Sequence, residues 1–255
     1  FLVVALLATT TLAVAAPDDL GALFEEYTSW ERREFPERAV RRGDRERIGE
    51  VTSQSMAAIE RRHGDRMEFL ERARAFDRAA LDEARGLDLD LFVRMLEDAV
   101  GDYEHRLFLM PMDQRWGTHQ TIAMFAEGLT LRRRDDFDRY LERLERAETM
   151  VEQAIDLMRL GLDEGRTPPK VTLEGVPAQI DDLLGEGGLA ALAAPLVETP
   201  LGGRDRSALQ LRFERLSMPT VRAALERYRA FVVDEYLPKC RETIDAASYP
   251  DGHAY

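Results

Sequence analysis

The residue types best suited to chemistry lie in residues 109–120 (LMPMDQRWGTHQ), which we call the corner segment. This segment interrupts a chain whose apolar residues otherwise recur at helical spacing. Trp116 and His119 flank Gly117, and Gln120 follows them. Such residues at a non-helical turn can form the wall of a binding pocket, or they can fill the gap between two helix ends. The sequence leaves both interpretations open.

Complete catalytic constellations are absent from the sequence. The four histidines, at positions 63, 105, 119 and 253, are scattered, and no His-Glu-x-x-His pair could hold zinc beside a general base. No Gly-x-Ser-x-Gly turn and no Ser-x-x-Lys motif occurs. Cys240 is the one cysteine, and without a histidine nearby it is interpreted as an inert thiol. The sequence therefore predicts no catalytic residue and no metal ligand.

The charge balance bears on partners. With 48 acidic and 35 basic residues, the net charge is −13. An acidic chain of this kind is poorly suited to binding nucleic acid or an anionic membrane surface. We expect neither as a partner.

The first sixteen residues carry no charge, and Ala13 and Ala15 have the small-x-small form of a signal-peptidase site. We interpret residues 1–15 as part of a signal peptide, incomplete because it has no initiating Met or basic region. The run is shorter than the roughly 20 apolar residues of a membrane span. The sequence thus predicts an exported protein, periplasmic or secreted, without a stable membrane span.

Apolar periodicity predicts an all-α fold, a multi-helix array of long amphipathic helices with irregular corners. A first helix starts at Asp18 or Asp19 and ends before Pro36. A second pattern runs from Thr52 or Ser53 to Leu81. Gly86 predicts a break, after which a third helix, capped by Asp88 or Asp90, continues until Pro111 ends it.

The downstream half predicts further helices with one irregular stretch. Asp135 and Asp136 suit a helix start, and one long helix is expected from there through Leu162, with Gly165 as its C-cap. Residues 185–188 (GEGG) predict a flexible turn, and the stretch from there to Gly203 an irregular crossover. Two closing helices are expected, about Asp205 to Leu216 and from Pro219 onward.

Four separated motifs carry a family resemblance. They are residues 35–37 (FPE) with Gly43 and Asp44, residues 109–114 (LMPMDQ) with Gly117 and Gln120, residues 165–169 (GRTPP) with Val176 and Pro177, and residues 249–252 (YPDG) with Ala254 and Tyr255. In order and spacing the sequence resembles the N-terminal portion of the bacterial domain of unknown function 885. The resemblance implies a large helical, exported protein similar to zinc metallopeptidases and helical carboxypeptidases, acting on short peptides.

That resemblance also sets expectations about the site. The zinc motif of the family, His-Glu-x-x-Pro-Gly-His-His, does not occur in this sequence. Residues 16–255 are therefore expected to be the N-terminal helical part of a larger, truncated domain, with zinc bound only by the full-length protein. The candidates for lining a substrate cleft are Trp116, His119, Gln120, Gly252 and Tyr255. The alternative is a non-catalytic helical binding module of the cell envelope. Oligomeric state is not predicted.

Overall fold

The computed structural model describes residues 18–250, 252 and 253, and it confirms the all-α prediction. Within these residues the only extended pairing is an isolated bridge between Pro169 and Arg241. The α-helices are α1 Asp18–Glu34, α2 Pro36–Arg41, α3 Met56–Arg74, α4 Glu83–Glu104, α5 Thr118–Ala123, α6 Arg134–Glu145, α7 Ala147–Asp163, α8 Val176–Leu184, α9 Glu186–Val197, α10 Gly203–Arg212 and α11 Met218–Phe231. The predicted signal peptide, residues 1–15, lies outside the described part.

Helices α1, α3 and α4 pack together as a unit that we call the three-helix layer. Its buried cluster contains the apolar positions Leu20, Leu23, Trp30, Phe69, Leu70, Ala73, Leu89, Phe92 and Leu96. The stripe predicted on the first helix therefore faces this core. Side-chain caps begin the other two helices: Ser55 accepts from the N–H of Ala58 at 3.3 Å, and Asp82 from that of Arg85 at 2.9 Å.

The predicted break at Gly86 is wrong, because Gly86 lies inside α4, which begins at Glu83. The glycine makes room for a neighbouring side chain. A Cβ at this position would lie 1.9 Å from Nη1 of Arg78, and Arg78 in turn pairs with Asp90 at 3.1 Å. Sequence alone does not distinguish a glycine that ends a helix from one that permits such an approach.

The end of α4 also differs from the prediction. The helix stops at Glu104, before Pro111 is reached, and Arg106 takes a left-handed conformation with φ 57°. A short 3₁₀ turn, Leu107–Leu109, follows. Leu109 is fully buried, and a Cβ on Gly161 of α7 would lie 2.8 Å from the Leu109 carbonyl oxygen. This backbone contact fixes where the corner segment begins.

Helices α5 to α11 form the main body of the protein, built around a larger and mostly aliphatic core. The predicted helix start near Asp136 is confirmed: its carboxylate accepts from the N–H groups of Arg132 and Arg133 at 2.9 and 2.8 Å. The expected single long helix is divided at Arg146 into α6 and α7. Gly165, with φ 69°, ends α7 as predicted.

Two further predictions for the main body are wrong. Residues 186–197 form α9 instead of a turn and an irregular crossover. Leu189, Leu192 and Leu196 are buried at helical spacing, and this burial outweighs the poor helix propensity of the glycines and of Pro195. The closing helices are also not separate, since π-helical turns at Phe213–Ser217 and Val232–Tyr236 continue α10 and α11 as one helical run.

No helix among the described residues has the length and apolar character that crossing a membrane requires.

Candidate binding site at the corner segment

The backbone of the corner segment is held by a turn around Asp113. The Asp113 carboxylate accepts from the N–H groups of Arg115 and Trp116 at 2.6 and 2.8 Å. The N–H of Asp113 donates to the Trp116 carbonyl oxygen at 2.8 Å. An aspartate that bonds backbone groups two and three residues ahead gives a rigid turn without a helix. Arg115 and Trp116 consequently lie at the tip of the turn, where both are exposed.

Two glutamines fix the same turn from behind. The amide groups of Gln120 and Gln179 each donate to the Gln114 carbonyl oxygen at 2.9 Å. The N–H of Gln114 donates to the Thr172 carbonyl oxygen at 3.1 Å. These bonds tie the corner segment to α8 and to the 3₁₀ turn before it, so the tip is supported from two sides.

His119 belongs to this support. Its side chain is buried, and Nε2 lies 3.0 Å from Oε1 of Gln179. Because the Gln179 amide nitrogen is already donating, Oε1 is the acceptor and Nε2 carries the proton. Burial lowers the pKa of His119, against a smaller opposing effect of the Gln179 bond. A Cβ on Gly117 would lie 3.0 Å from Nδ1 of His119, so the ring fits beneath the glycine.

Arg166 holds two other segments beside the corner segment. Its side chain is buried, and Nη1 donates to the carbonyl oxygens of His105 and Pro250 at 3.0 and 3.1 Å. One guanidinium thereby joins His105, just after α4, to Pro250 in a loop more than a hundred residues later. Hydrogen bonds from a charged donor are stronger than neutral ones.

Arg241 orders that later loop from its other side. Its Nε donates to the Thr167 carbonyl oxygen at 3.0 Å and its Nη1 to the Asp245 carbonyl oxygen at 2.7 Å. The guanidinium carbon lies 3.8 Å from the ring centre of Tyr249, within the range of a cation–π contact. Residues 249 and 250 are therefore positioned by two arginines.

Together these segments enclose a cavity of about 590 Å³, which we call the corner hollow. Residues from four parts of the chain line it: His105 and Leu107; Met110, Met112, Asp113, Gln114 and Arg115; Arg166, Pro168, Pro169 and Thr172; and Tyr249, Pro250 and Gly252. Three of these parts contain motifs on which the family resemblance rests. Segments that follow no helical period thus converge here, although they lie far apart in sequence.

Comparison with known families identifies the family of this chain. The family model described as "Bacterial protein of unknown function (DUF885)" matches residues 36–255. The chain belongs to this family. The match includes every described residue that lines the corner hollow. Among curated proteins, no sequence matches significantly.

The site candidates of this DUF885 member occupy different places. Gly252 lines the corner hollow. Trp116, with 64% of its surface exposed, lines a separate hollow beside Phe35 and Thr121. His119 and Gln120 support the turn from behind. Tyr255 lies outside the described residues. The corner segment and the loop at residues 249–252 do line one concavity, but the corner segment contributes Met110 and residues 112–115 to it.

Of the described residues that line this hollow, Gly252 alone is among the sequence-based candidates, and the polar or aromatic side chains of Arg115, Arg166 and Tyr249 are not. Arg115 and Tyr249 lie within or beside the predicted motifs, and Arg166 is in the GRTPP motif. Membership in non-periodic motifs could have singled them out. Nothing in the sequence indicates that a guanidinium at position 166 reaches His105 and Pro250.

Zinc, which the resemblance implies, does not fit the described residues. Among them no group of three or more His, Cys, Asp or Glu side chains is placed to hold a metal ion.

Cys240 is buried in the core of the main body and is not placed to react. Its side chain is 5% exposed, and burial raises the pKa of the thiol to about 12. A thiol protonated at neutral pH is a poor nucleophile, as the sequence-based interpretation expects.

Proposed function

We propose that the corner hollow binds short peptides. In this proposal the chain is the substrate-binding part of an exported, zinc-dependent peptidase. The observation that carries this proposal is the convergence of three non-periodic motif segments on one hollow. Helical positions are committed to packing, whereas residues on rigidly held loops remain available to a ligand. Export rests on the sequence pattern of residues 1–15.

The lining of the hollow suits a peptide with a free carboxyl terminus. Arg115 is exposed at the tip of the turn and forms no ion pair with a carboxylate of the described residues. A guanidinium binds a carboxylate in a bidentate fashion. Leu107, Met110 and the prolines of the hollow offer an apolar surface to the C-terminal side chain of the bound peptide. Arg166 acts differently, because it holds the loops in place.

The described residues contain no set of side chains that could bind zinc. Their proposed role is therefore to bind and orient the peptide. A hydrolytic metal centre would have to use residues outside the described part. The alternative function, a non-catalytic binding module, uses the same hollow but lacks hydrolysis.

Incubation with a mixture of tripeptides tests the proposal, with peptide cleavage followed by mass spectrometry and binding by calorimetry. We expect saturable binding that weakens about tenfold or more when the peptide carboxyl terminus is amidated or Arg115 is replaced by Met. Arg146→Met, at an exposed arginine of the main body without an ion pair in the described structure, is the matched control.

The cleavage result separates the two functions. Zinc-dependent hydrolysis that a chelator abolishes supports the peptidase, and binding without hydrolysis supports the binding module. Absence of both binding and cleavage contradicts the proposal.

A further inference from the structure

A second hollow lies in the three-helix layer, between α3, α4 and the turn that follows α4. Its volume is about 370 Å³. It shares Leu107 with the corner hollow, but its other lining residues are different and follow a different chemical pattern. We call it the aromatic hollow.

Aromatic rings form one side of this hollow. Tyr103 stacks on His63, with ring centres 3.8 Å apart and planes 12° from parallel. Phe108 also stacks on Tyr103, with ring centres 5.4 Å apart. Phe35 lines the hollow as well. Rings that are held in place by stacking and line a cavity suit an aromatic or large apolar ligand group.

Two arginines of α3 line the same hollow, and their hydrogen bonding differs. Arg62 is buried and engaged: it donates to the Ser53 carbonyl oxygen at 2.8 Å and lies 3.6 Å from the Glu34 carboxylate. Arg62 is therefore a structural cation, whose charge is already balanced.

Arg66 is not engaged in this way. Its guanidinium carbon lies 5.6 Å from the Trp30 ring centre and 5.7 Å from that of Phe35. Its Nε is buried without a hydrogen-bond partner, and no carboxylate of the described residues lies within 4 Å. The Tyr27 hydroxyl is a hydrogen-bond partner of the Arg66 side chain, but a guanidinium set against rings with no carboxylate beside it can still bind an anion.

One carboxylate, Asp102 of α4, lies at the exposed rim of the hollow. It has no ion-pair partner within 4 Å among the described residues. Partial burial, and secondarily the charge of Asp98, raise the pKa of Asp102, while Arg66 and His105 act in the opposite direction. A raised pKa marks a carboxylate whose ionised form lacks stabilising contacts, and a cation would supply them.

We propose that the aromatic hollow binds a zwitterionic amino acid with an aromatic or large apolar side chain. The ligand carboxylate binds Arg66, its ammonium binds Asp102, and its side chain lies against Tyr103 and Phe108. This site does not depend on peptide binding in the corner hollow, so either proposal can fail without the other.

Calorimetric titration with L-phenylalanine tests the proposal, alongside two analogues that each lack one charge. We expect saturable binding of L-phenylalanine, and about tenfold or weaker binding of both N-acetyl-L-phenylalanine and L-phenylalaninamide. Equal binding of the N-acetyl compound would overturn the role of Asp102. Equal binding of the amide would overturn that of Arg66. No binding of L-phenylalanine would overturn the site.

Variants place the ligand within the molecule. Arg66→Met keeps an apolar stem against the rings, and Asp102→Asn keeps the shape of the rim; each should weaken L-phenylalanine binding about tenfold. The matched controls Arg32→Met and Asp88→Asn alter exposed charges of α1 and α4 and should bind normally. Should Arg66→Met fail to fold, Asp102→Asn and the two analogues still decide. Unchanged binding in Asp102→Asn would contradict the proposal.

Discussion

The three-helix layer and the main body are packed with different chemistry. In the layer, Tyr27 meets Phe69 and Phe92 edge to face, with ring centres 5.2 and 5.1 Å apart. In the main body, aromatic residues carry polar groups into an aliphatic core: the Tyr140 hydroxyl donates to the Leu192 carbonyl oxygen at 2.7 Å. Ring surfaces stabilise the layer, whereas buried hydroxyls also tie distant backbone segments together in the body.

This difference affects where a binding site can form. The corner segment lies where layer and body meet, and it depends on the body for support through Gln179 and Thr172. Arg106 adds a bond from the end of the layer, reaching Glu164 of the body at 2.6 Å. A hollow between two differently packed units can keep its shape while each unit is stabilised by its own core.

Core truncation should have the largest effect and should separate the two units. Leu144 of the body and Leu96 of the layer are both fully buried, so replacing either with Ala should cost about 2–5 kcal/mol of unfolding free energy. Native-state hydrogen exchange locates the loss. Leu96→Ala should accelerate exchange in α1, α3 and α4 first; uniform acceleration of all helices would show that layer and body unfold as one.

Loss of Arg166 should weaken the connection between the units. Arg166→Met leaves the carbonyl oxygens of His105 and Pro250 without their charged donor, at an expected cost of about 2–3 kcal/mol. Exchange of the backbone amides of residues 246–249 should accelerate more than that of α7. Chemical denaturation of Arg166→Met that matches the wild type would contradict the role assigned to this guanidinium.

Two buried glycines provide a matched pair. At Gly161 an added methyl group would lie 2.7 and 2.8 Å from the backbone oxygens of Arg166 and Leu109. Because backbone cannot easily move, Gly161→Ala should cost about 1–3 kcal/mol.

The comparison variant is Gly86→Ala, which meets only the flexible end of Arg78. It should be neutral or stabilising by up to about 1 kcal/mol, since alanine favours helix. Thermal denaturation of the two variants measures the contrast. Equal destabilisation by both variants would mean that the Arg78 side chain beside Gly86 yields no more easily than the backbone beside Gly161.

The smallest expected effect is a pH dependence. Because the folded-state pKa of His119 is below the ordinary 6.5, its neutral form stabilises the protein fully above that value. This stabilisation is lost as pH falls through the lower folded-state pKa, since the unfolded chain takes up the proton first.

Between about pH 7 and pH 5, the wild type should therefore lose more unfolding free energy than His119→Gln does. Urea denaturation at several pH values measures the difference. Parallel pH profiles for the two proteins would exclude a titrating His119 from the stability of the corner.

Most of the helical structure of the three-helix layer and the main body could be predicted from sequence. The apolar stripe of α1 and the acidic start of α6 follow local rules, because helix period and capping act within a few residues. Gly86 and the stretch around Pro195 do not, since burial against distant neighbours decides their conformation. For the same reason the sequence predicts the corner segment as irregular but not which of its residues line a hollow.

Contacts between distant residues, which local patterns do not reveal, matter even more for the candidate site. Trp116 and His119 stand out by residue type, yet Trp116 lines a different hollow and His119 is buried. The lining of the corner hollow comes from segments separated by more than a hundred residues. Their meeting depends on hydrogen bonds that Arg166 and Arg241 donate to backbone carbonyl oxygens, and backbone carbonyls leave no pattern in a sequence.

Methyl NMR of the methionines tests the central claim, peptide binding in the corner hollow, most directly. Met110 and Met112 line that hollow, whereas Met67 and Met95 are exposed on the three-helix layer and serve as internal controls. Titration with a tripeptide that has a free carboxyl terminus should shift the Met110 and Met112 methyl signals with one common affinity, and leave Met67 and Met95 unchanged. Unperturbed Met110 and Met112 signals at saturating peptide would contradict the account.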